Sequence, residues 1–372
     1  MNIEKYLVFD FEAASEWGLE IWHPEYKLVS CDFLLVDGEN RKFKFTKDLE
    51  VMRKCFKAAI ANDFHFVCHN YAYEYSVLKK LFGITLSPER VIDTMRLHSY
   101  ATKRCGAQAK RSLVSAVEEY FEVADYKDEY HQALIDAGVA KNKREAKGKV
   151  GELPEDLLER YNRADIDYTE KVLIHCIDDI NSNGLDIEQD LYLYNRKVMR
   201  NMDAWLRGVR VDREAAERNL ESLKEEHSGH ITGFHTLYAE EIRRAEELIE
   251  QANLERDYQS RRKKAKHPEN IKRKESKPHT FNLGSMDDLA VLFVDVFGLK
   301  PKIFTAGGAP SFKKDFLAQW GDKADLMLKW KKLVKPISEL KAILEHSSVD
   351  GRVHFYISPF GTVTGRGSSG RN

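Results

Sequence analysis

The chain has 372 residues, 32% of them charged and 42% hydrophobic, and no apolar run approaches the roughly 18 residues that a membrane span needs. Its length predicts two or three units with cores of their own. Met1-Asn2-Ile3-Glu4-Lys5 carries no signal-peptide pattern, and the five cysteines (Cys31, Cys55, Cys68, Cys105, Cys176) form no CxxC pair, which predicts a reduced, cytoplasmic protein without a zinc site or membrane anchor. The net charge of −1 hides an asymmetry: residues 1–187 hold 26 Lys and Arg against 33 Asp and Glu, and the remainder 33 against 27. An acidic front and a basic back predict two domains with different work, the second suited to a polyanion.

Tyr6-Leu7-Val8-Phe9-Asp10-Phe11-Glu12 opens as an apolar run of β-forming residues and predicts a buried strand. Strand side chains repeat every two residues, so Asp10 and Glu12 project from one face. Neighbouring carboxylates repel unless a hard divalent cation lies between them. From this stretch alone, a metal site and a strand running into an acidic loop are equally compatible. Residues 27–36 and 41–45 predict two more strands, and 48–61 a helix whose inner face is Leu49, Met52, Phe56 and Ile60. Residues 64–68 predict a strand that ends in His69-Asn70-Tyr71-Ala72-Tyr73-Glu74, and a helix then runs through Leu81 to a stop at Gly83. Successive strands that then alternate with helices imply an α/β unit, a mixed sheet with helices packed on it.

Residues 94–150 read as irregularly helical, with the Lys-rich 141–149 a solvated turn or loop. Pro154 suits the first turn of a helix running to residue 180, on which Tyr161 and Asp165, four apart, share a face. Asn181-Ser182-Asn183-Gly184 stops that helix and marks the candidate boundary, giving 1–187 as the first domain. A helix over 190–206 leads to Gly208-Val209-Arg210-Val211-Asp212, where Asp212 is placed to cap a long helix reaching residue 254. Residues 256–277 hold ten basic side chains against three acidic ones, a solvated loop or a polyanion-facing tip. Phe281-Asn282-Leu283-Gly284-Ser285 caps a helix to 297, helices follow over 311–320 and 323–345, and Asp350-Gly351 turns into a strand over 353–356. No internal repeat is present.

Three acidic motifs stand in order: DFE at 10–12, HNYAYE at 69–74 and YNRAD at 161–165. This resembles the DEDD superfamily of 3′→5′ exonucleases, in the subgroup with tyrosine in the third motif, whose fold is RNase H-like. The back half resembles the thumb and early palm of family A (polymerase I-type) DNA polymerases, in a phage-like style. The residues that carry this are GVRVD at 208–212, FNLGS at 281–285, the helix around 329–344, DGRVH at 350–354 and GTVTGRGSS at 361–369. The resemblance implies an exonuclease domain (1–187), a mainly helical thumb with a basic tip at 256–277 (188–348) and the start of a palm (349–372). It implies a place in the cytoplasm of a bacterial host. The sequence stops before the palm aspartates and the fingers lysine of that family. The expectation is therefore a truncated form or one half of a split polymerase, whose missing palm-and-fingers polypeptide would supply the sheet partners of 353–356.

The resemblance further implies two-metal hydrolysis of DNA 3′ ends, with Mg²⁺ (or Mn²⁺) held by Asp10, Glu12, Glu74 and Asp165 and the attacking water oriented by Tyr161. Glu74 stands where the family has aspartate, one methylene longer. Asn70 would contact the terminal nucleotide or simply form a turn, and Asp93 is structural. Lys263, Lys264, Lys272 and Lys274 at the tip would meet DNA phosphates. So would Asn282 and Ser285 at a helix start, and Thr364, Arg366, Ser368 and Ser369 along the primer–template, with a plain polar loop as the alternative for the two serines. Two other readings stand beside this one. The first is a non-catalytic DNA-binding and docking subunit with a degenerate exonuclease site. The second is an RNase D-like RNA exonuclease, against which the FNLGS and TGR segments argue.

Overall fold

The computed structural model describes residues 3–13, 21–104, 112–273, 278–305, 307–308, 310–312, 317, 321–359, 361–362 and 367–369. Lys274, Thr364 and Arg366 lie outside them, as does most of the helix expected over 311–320. The chain forms two compact units, Met1–Arg210 with Arg352–Asn372, and Val211–Gly351.

The first unit is built on five strands, β1 (Lys5–Ala13), β2 (Leu28–Asp37), β3 (Asn40–Thr46), β4 (His65–Cys68) and β5 (Val91–Asp93), in the order β3-β2-β1-β4-β5. β1, β2 and β3 are antiparallel neighbours, whereas β4 and β5 run parallel to β1. Strand periodicity sorts the side chains into two cores. Leu7, Phe9 and Phe11 face one side with Cys31, Phe33, Phe66 and Val91, and Tyr6 and Val8 face the other with Leu34, Val67 and Ile92. The first side is closed by α1 (Leu49–Ala61), α2 (Tyr71–Val77) and α8 (Glu188–Arg207), and the second by α3 (Thr94–Ala101), α4 (Leu113–Phe121) and α7 (Glu155–Ser182). By the same parity Asp10 and Glu12 lie on the second side, towards α7. Around the first side Phe9, Phe11, Phe33, Phe56 and Phe66 meet mostly edge to face, 5.0–6.5 Å between centroids, and each such buried ring contributes about 1.5–3 kcal/mol.

Several expectations change. Asp48 caps α1 as its side chain accepts from Glu50 and Val51, but the inner face is Met52, Phe56 and Ala59; Leu49 and Ile60 are exposed. The Lys-rich 141–149 is not a plain loop: Asn142 caps a short helix, α6 (Lys143–Lys147), which packs against α5 (Asp128–Asp136) through Ala146. The first unit also runs on past residue 187, because α8 buries Tyr194, Val198, Met202 and Trp205 in the first core.

Its last pieces are equally unexpected. Strand β7 (Arg352–Val353) finds its partner within this chain, pairing antiparallel with β6 (Val209–Arg210), so no second polypeptide is needed there. Gly208 makes this approach work. Its φ of 64° and ψ of 172° fall in a region essentially reserved for glycine, and a Cβ would stand 2.8 Å from the His354 ring. The His354 imidazole stacks on Trp22 at 4.1 Å and Tyr356 meets Trp205 edge-on. β8 (Ile357–Ser358) and β9 (Ser368–Ser369) then form a small antiparallel pair.

The second unit is helical. α9 (Arg213–Leu237), capped by Asp212 as expected, packs antiparallel to α12 (Asp322–His346), with the Arg213 guanidinium donating to Leu344 O and Ser347 Oγ. The long helix expected to reach 254 is instead broken at Tyr238, and α10 (Ala239–Lys264) continues well into the basic stretch. Phe234, Ile242, Phe281, Leu283, Phe293 and Met327 share its core, to which α11 (Met286–Ala290) contributes Leu289.

Candidate active site

The strand end and α7 meet at an acidic cluster. Asp10, Glu12 and Asp165 each offer a carboxylate oxygen, all within 4.8 Å of one another. α7 is held in the register that allows this by three polar clamps on the sheet. Arg41 makes a bidentate ion pair with Glu170 (2.7 and 2.5 Å), which also accepts from the Tyr6 hydroxyl at 2.8 Å. Arg163 pairs with the buried Asp32 at 2.7 Å, and the Asn162 amide donates to Ser30 Oγ at 2.8 Å. A helix held at three points along its length sets Tyr161 and Asp165 rigidly over β1.

Glu74 is 2% exposed, on α2. It is not within the group of three, yet burial and the charges of Asp10 and Glu12 hold its carboxyl well above the usual carboxylate range. Its Oε2 is buried without a hydrogen-bond partner among the described residues. The start of α2 is fixed by Asp93, which accepts from the amides of Asn70 (2.9 Å), Tyr71 (3.0 Å) and Met95 (3.0 Å) and from the Tyr194 hydroxyl (3.0 Å). This is the structural part expected of Asp93. It pins Asn70 in a left-handed conformation, φ 75°, an uncommon state for which asparagine is among the better-suited residues.

Two further side chains complete the cluster. The Lys127 ammonium lies 2.6 Å from Asp165 Oδ2 and donates to the Tyr161 hydroxyl at 2.9 Å; the Tyr126 hydroxyl donates to Asp165 Oδ1 at 2.5 Å. Desolvation and the Asp165 carboxylate push Asp10 up to about 8, and burial together with Asp10 raises Glu12 well above its ordinary value. Burial works against the Lys127 ammonium, but Asp165, Tyr161 and Glu12 outweigh it and keep the lysine charged. All four carboxylates offer hard oxygen donors. Their crowding, and a buried oxygen at Glu74 with nothing to accept from, fit a divalent cation of the Mg²⁺ type.

The cluster opens into a cleft of 590 Å³ whose wall includes Asp10, Asn70, Lys127 and Asp165, and also Tyr356, Ser358 and Ser368. Of the residues expected to meet a nucleic acid, Asn70 and Ser368 therefore border the acidic cluster, and Ser369 pairs with Ile357 beside it. Asn282 and Ser285 belong to the second unit and are occupied locally: Asn282 Oδ1 accepts from Gly284 N, while Ser285 caps α11 and donates to Asp288. A buried carboxylate in that first turn disfavours a phosphate there. Lys263, Lys264 and Lys272 are exposed and make no ion pair among the described residues, whereas Arg261 and Arg273 pair with Asp257 and Glu255.

Sequence reasoning missed Lys127, Tyr126 and the α7 clamps. Arg163 lies within YNRAD but between the two residues that the motif singles out, Arg41 and Glu170 sit on exposed-looking polar positions with no motif spacing, and Lys127 falls in the aperiodic 94–150.

No protein-family model matches the chain, and no curated protein matches it. Among solved structures it is similar to the POL domain of Pol1 from M. smegmatis in complex with DNA primer-template and dNTP, with a TM-score of 0.53 and 17% identity. The similarity covers 98% of this chain and 51% of that one, so the chain spans about half the length of the structure it matches. The likeness is one of fold: a mixed sheet with flanking helices and a helical unit, as in a DNA polymerase domain. Among the described residues no helix is long and apolar enough to cross a membrane.

Proposed function

We propose that the chain is a metal-dependent 3′→5′ exonuclease acting on DNA, the proofreading portion of a family A (polymerase I-type) DNA polymerase, with an RNase H-like first unit. The observation that carries this reading is the convergence of Asp10, Glu12 and Asp165, with a buried Glu74 oxygen that lacks a partner among the described residues. The order of the sheet, three antiparallel strands followed by two parallel ones, supports the RNase H-like assignment. The likeness to a polymerase domain solved with a DNA primer-template favours DNA over an RNA substrate.

In this reading Asp10, Glu12 and Asp165 would hold the cation, with Glu74 reaching it through water. The chemistry Mg²⁺ would supply there when bound is activation of a water and neutralisation of charge on the leaving oxygen. Tyr161 would orient that water through its hydroxyl, and Asn70, in its fixed turn at the cleft wall, would contact the terminal nucleotide. The four lysines of the basic tip would hold the duplex by its phosphates, a contact that positions without reading sequence.

The test is release of nucleoside monophosphates from DNA 3′ ends with and without Mg²⁺ or Mn²⁺. The parent should digest only with metal, and the double variant Asp10→Ala, Glu12→Ala should fall to background because two ligands are gone. A double variant as active as the parent would overturn the assignment.

A further inference from the structure

We propose that Lys127 is a built-in cation of the acidic site: its ammonium holds the cluster together in the metal-free chain and is exchanged for the divalent cation when that binds. The inference rests on the metal-site reading above and adds a competitor to it.

The geometry is that of a counter-ion. The ammonium bridges Asp165 and the Tyr161 hydroxyl at 2.6 and 2.9 Å and stands 4.6 Å from the centre of the Tyr161 ring. The Lys127 side chain is 19% exposed and that of Asp165 4%, so the pair is largely withdrawn from water. One ammonium engages only part of the donor set that Asp10, Glu12 and Asp165 offer, whereas a dication would draw on the oxygens of all three. An ammonium and a metal ion bound to one carboxylate repel each other at short range, which sets the two cations in competition.

The chain also gives Lys127 somewhere to go. It stands immediately before α5, at the end of a connection that begins with Glu122 in a left-handed conformation, and it borders the open cleft. Its four-carbon stem can turn the ammonium out into that space without moving a helix.

The experiment compares the parent chain with Lys127→Met, which keeps the stem and removes the charge, by thermal melting and by Mn²⁺ titration, each against EDTA. Exchange predicts that Lys127→Met melts below the parent in EDTA, draws level in saturating Mn²⁺, and binds Mn²⁺ about tenfold more tightly or better, roughly 1.4 kcal/mol. Mn²⁺ affinity unchanged or weakened in the variant would overturn the proposal and leave Lys127 as an ordinary structural ion pair. A second measurement needs no variant: amine acylation of the parent, read by mass spectrometry. Lys127 should be shielded in EDTA and modified several-fold faster in Mn²⁺, and equal rates would count against exchange. If the parent shows no Mn²⁺ binding while its Asp10→Ala, Glu12→Ala variant behaves identically, the metal-site reading itself fails. Mn²⁺ binding by the parent without a Lys127 effect sinks only the exchange.

Discussion

Glu74 carries one methylene more than the aspartate of the family its motif resembles. The side chain is buried on the first turn of α2, and one of its oxygens lacks a partner among the described residues. An unsatisfied buried carboxylate costs stability unless something charged answers it. Glu74→Ala should therefore slow metal-dependent digestion about 10–100-fold, the range seen when outer partners of a metal site are removed, while Glu74→Asp should be as active as the parent or more so. A Glu74→Ala chain digesting at the parental rate would remove Glu74 from the site. In the second unit, Asp288 makes a prediction about pH. Burial alone would raise its carboxyl, but the Asn282 amide, His279 and Ser285 outweigh burial and hold it below the usual range. A depressed carboxylate contributes stability that is present above its unfolded value near 4 and is lost as pH falls through the folded value. Asp288→Asn should cost about 1–3 kcal/mol at pH 7, and the gap in melting temperature should close below about pH 3. A gap that stays constant from pH 7 to 3 would contradict this.

At the scale of elements, the basic stretch divides in two. The last turn of α10 carries Arg261, Arg262, Lys263 and Lys264, where positive charge is favoured by the helix end, and Arg261 and Arg273 are tied up in ion pairs. On the proposed reading the exposed Lys263, Lys264 and Lys272 would meet a polyanion. Changing Lys263, Lys264, Lys272 and Lys274 to Ala should weaken duplex binding and flatten the slope of log K against log salt by about 0.9 for each phosphate no longer neutralised. An unchanged slope would mean the stretch is only a solvated surface. What the sequence made legible is what has a period. The alternation in β1 placed Asp10 and Glu12 on one face, and the four-residue spacing placed Tyr161 beside Asp165, because burial on a sheet or helix repeats at those intervals. What lacked a period was not legible. The strands β6 and β7 are two residues each, too short for any alternation, and their pairing depends on Gly208 and the Trp22–His354 stack, which join residues distant in sequence. Lys127 was invisible for the same reason, coming from a connection between short helices. The helix break at Tyr238 has no Pro or Gly at the break itself, and the Glu- and Arg-rich helix-favouring sequence after it hides the stop.

For the whole molecule, composition divides the chain into an acidic front and a basic back. The structure refines it: the unit that holds the acidic cluster also takes in Arg352–Asn372, so the last strands line the candidate active-site cleft. The fold likeness to a polymerase domain extends over nearly the entire chain, so the acidic cluster and the basic stretch both fall within it. On the proposed reading, hydrolysis would start at the 3′ end and depend on the Asp10–Glu12–Asp165 cluster. The most direct measurement uses one single-stranded DNA labelled internally, with either its 3′ or its 5′ terminus blocked, incubated with the chain in Mg²⁺ and in EDTA. Stepwise loss of mononucleotides is expected from the 5′-blocked strand, with none from the 3′-blocked strand and none in EDTA. Digestion of the 3′-blocked strand at the same rate, or digestion that persists in EDTA, would contradict it.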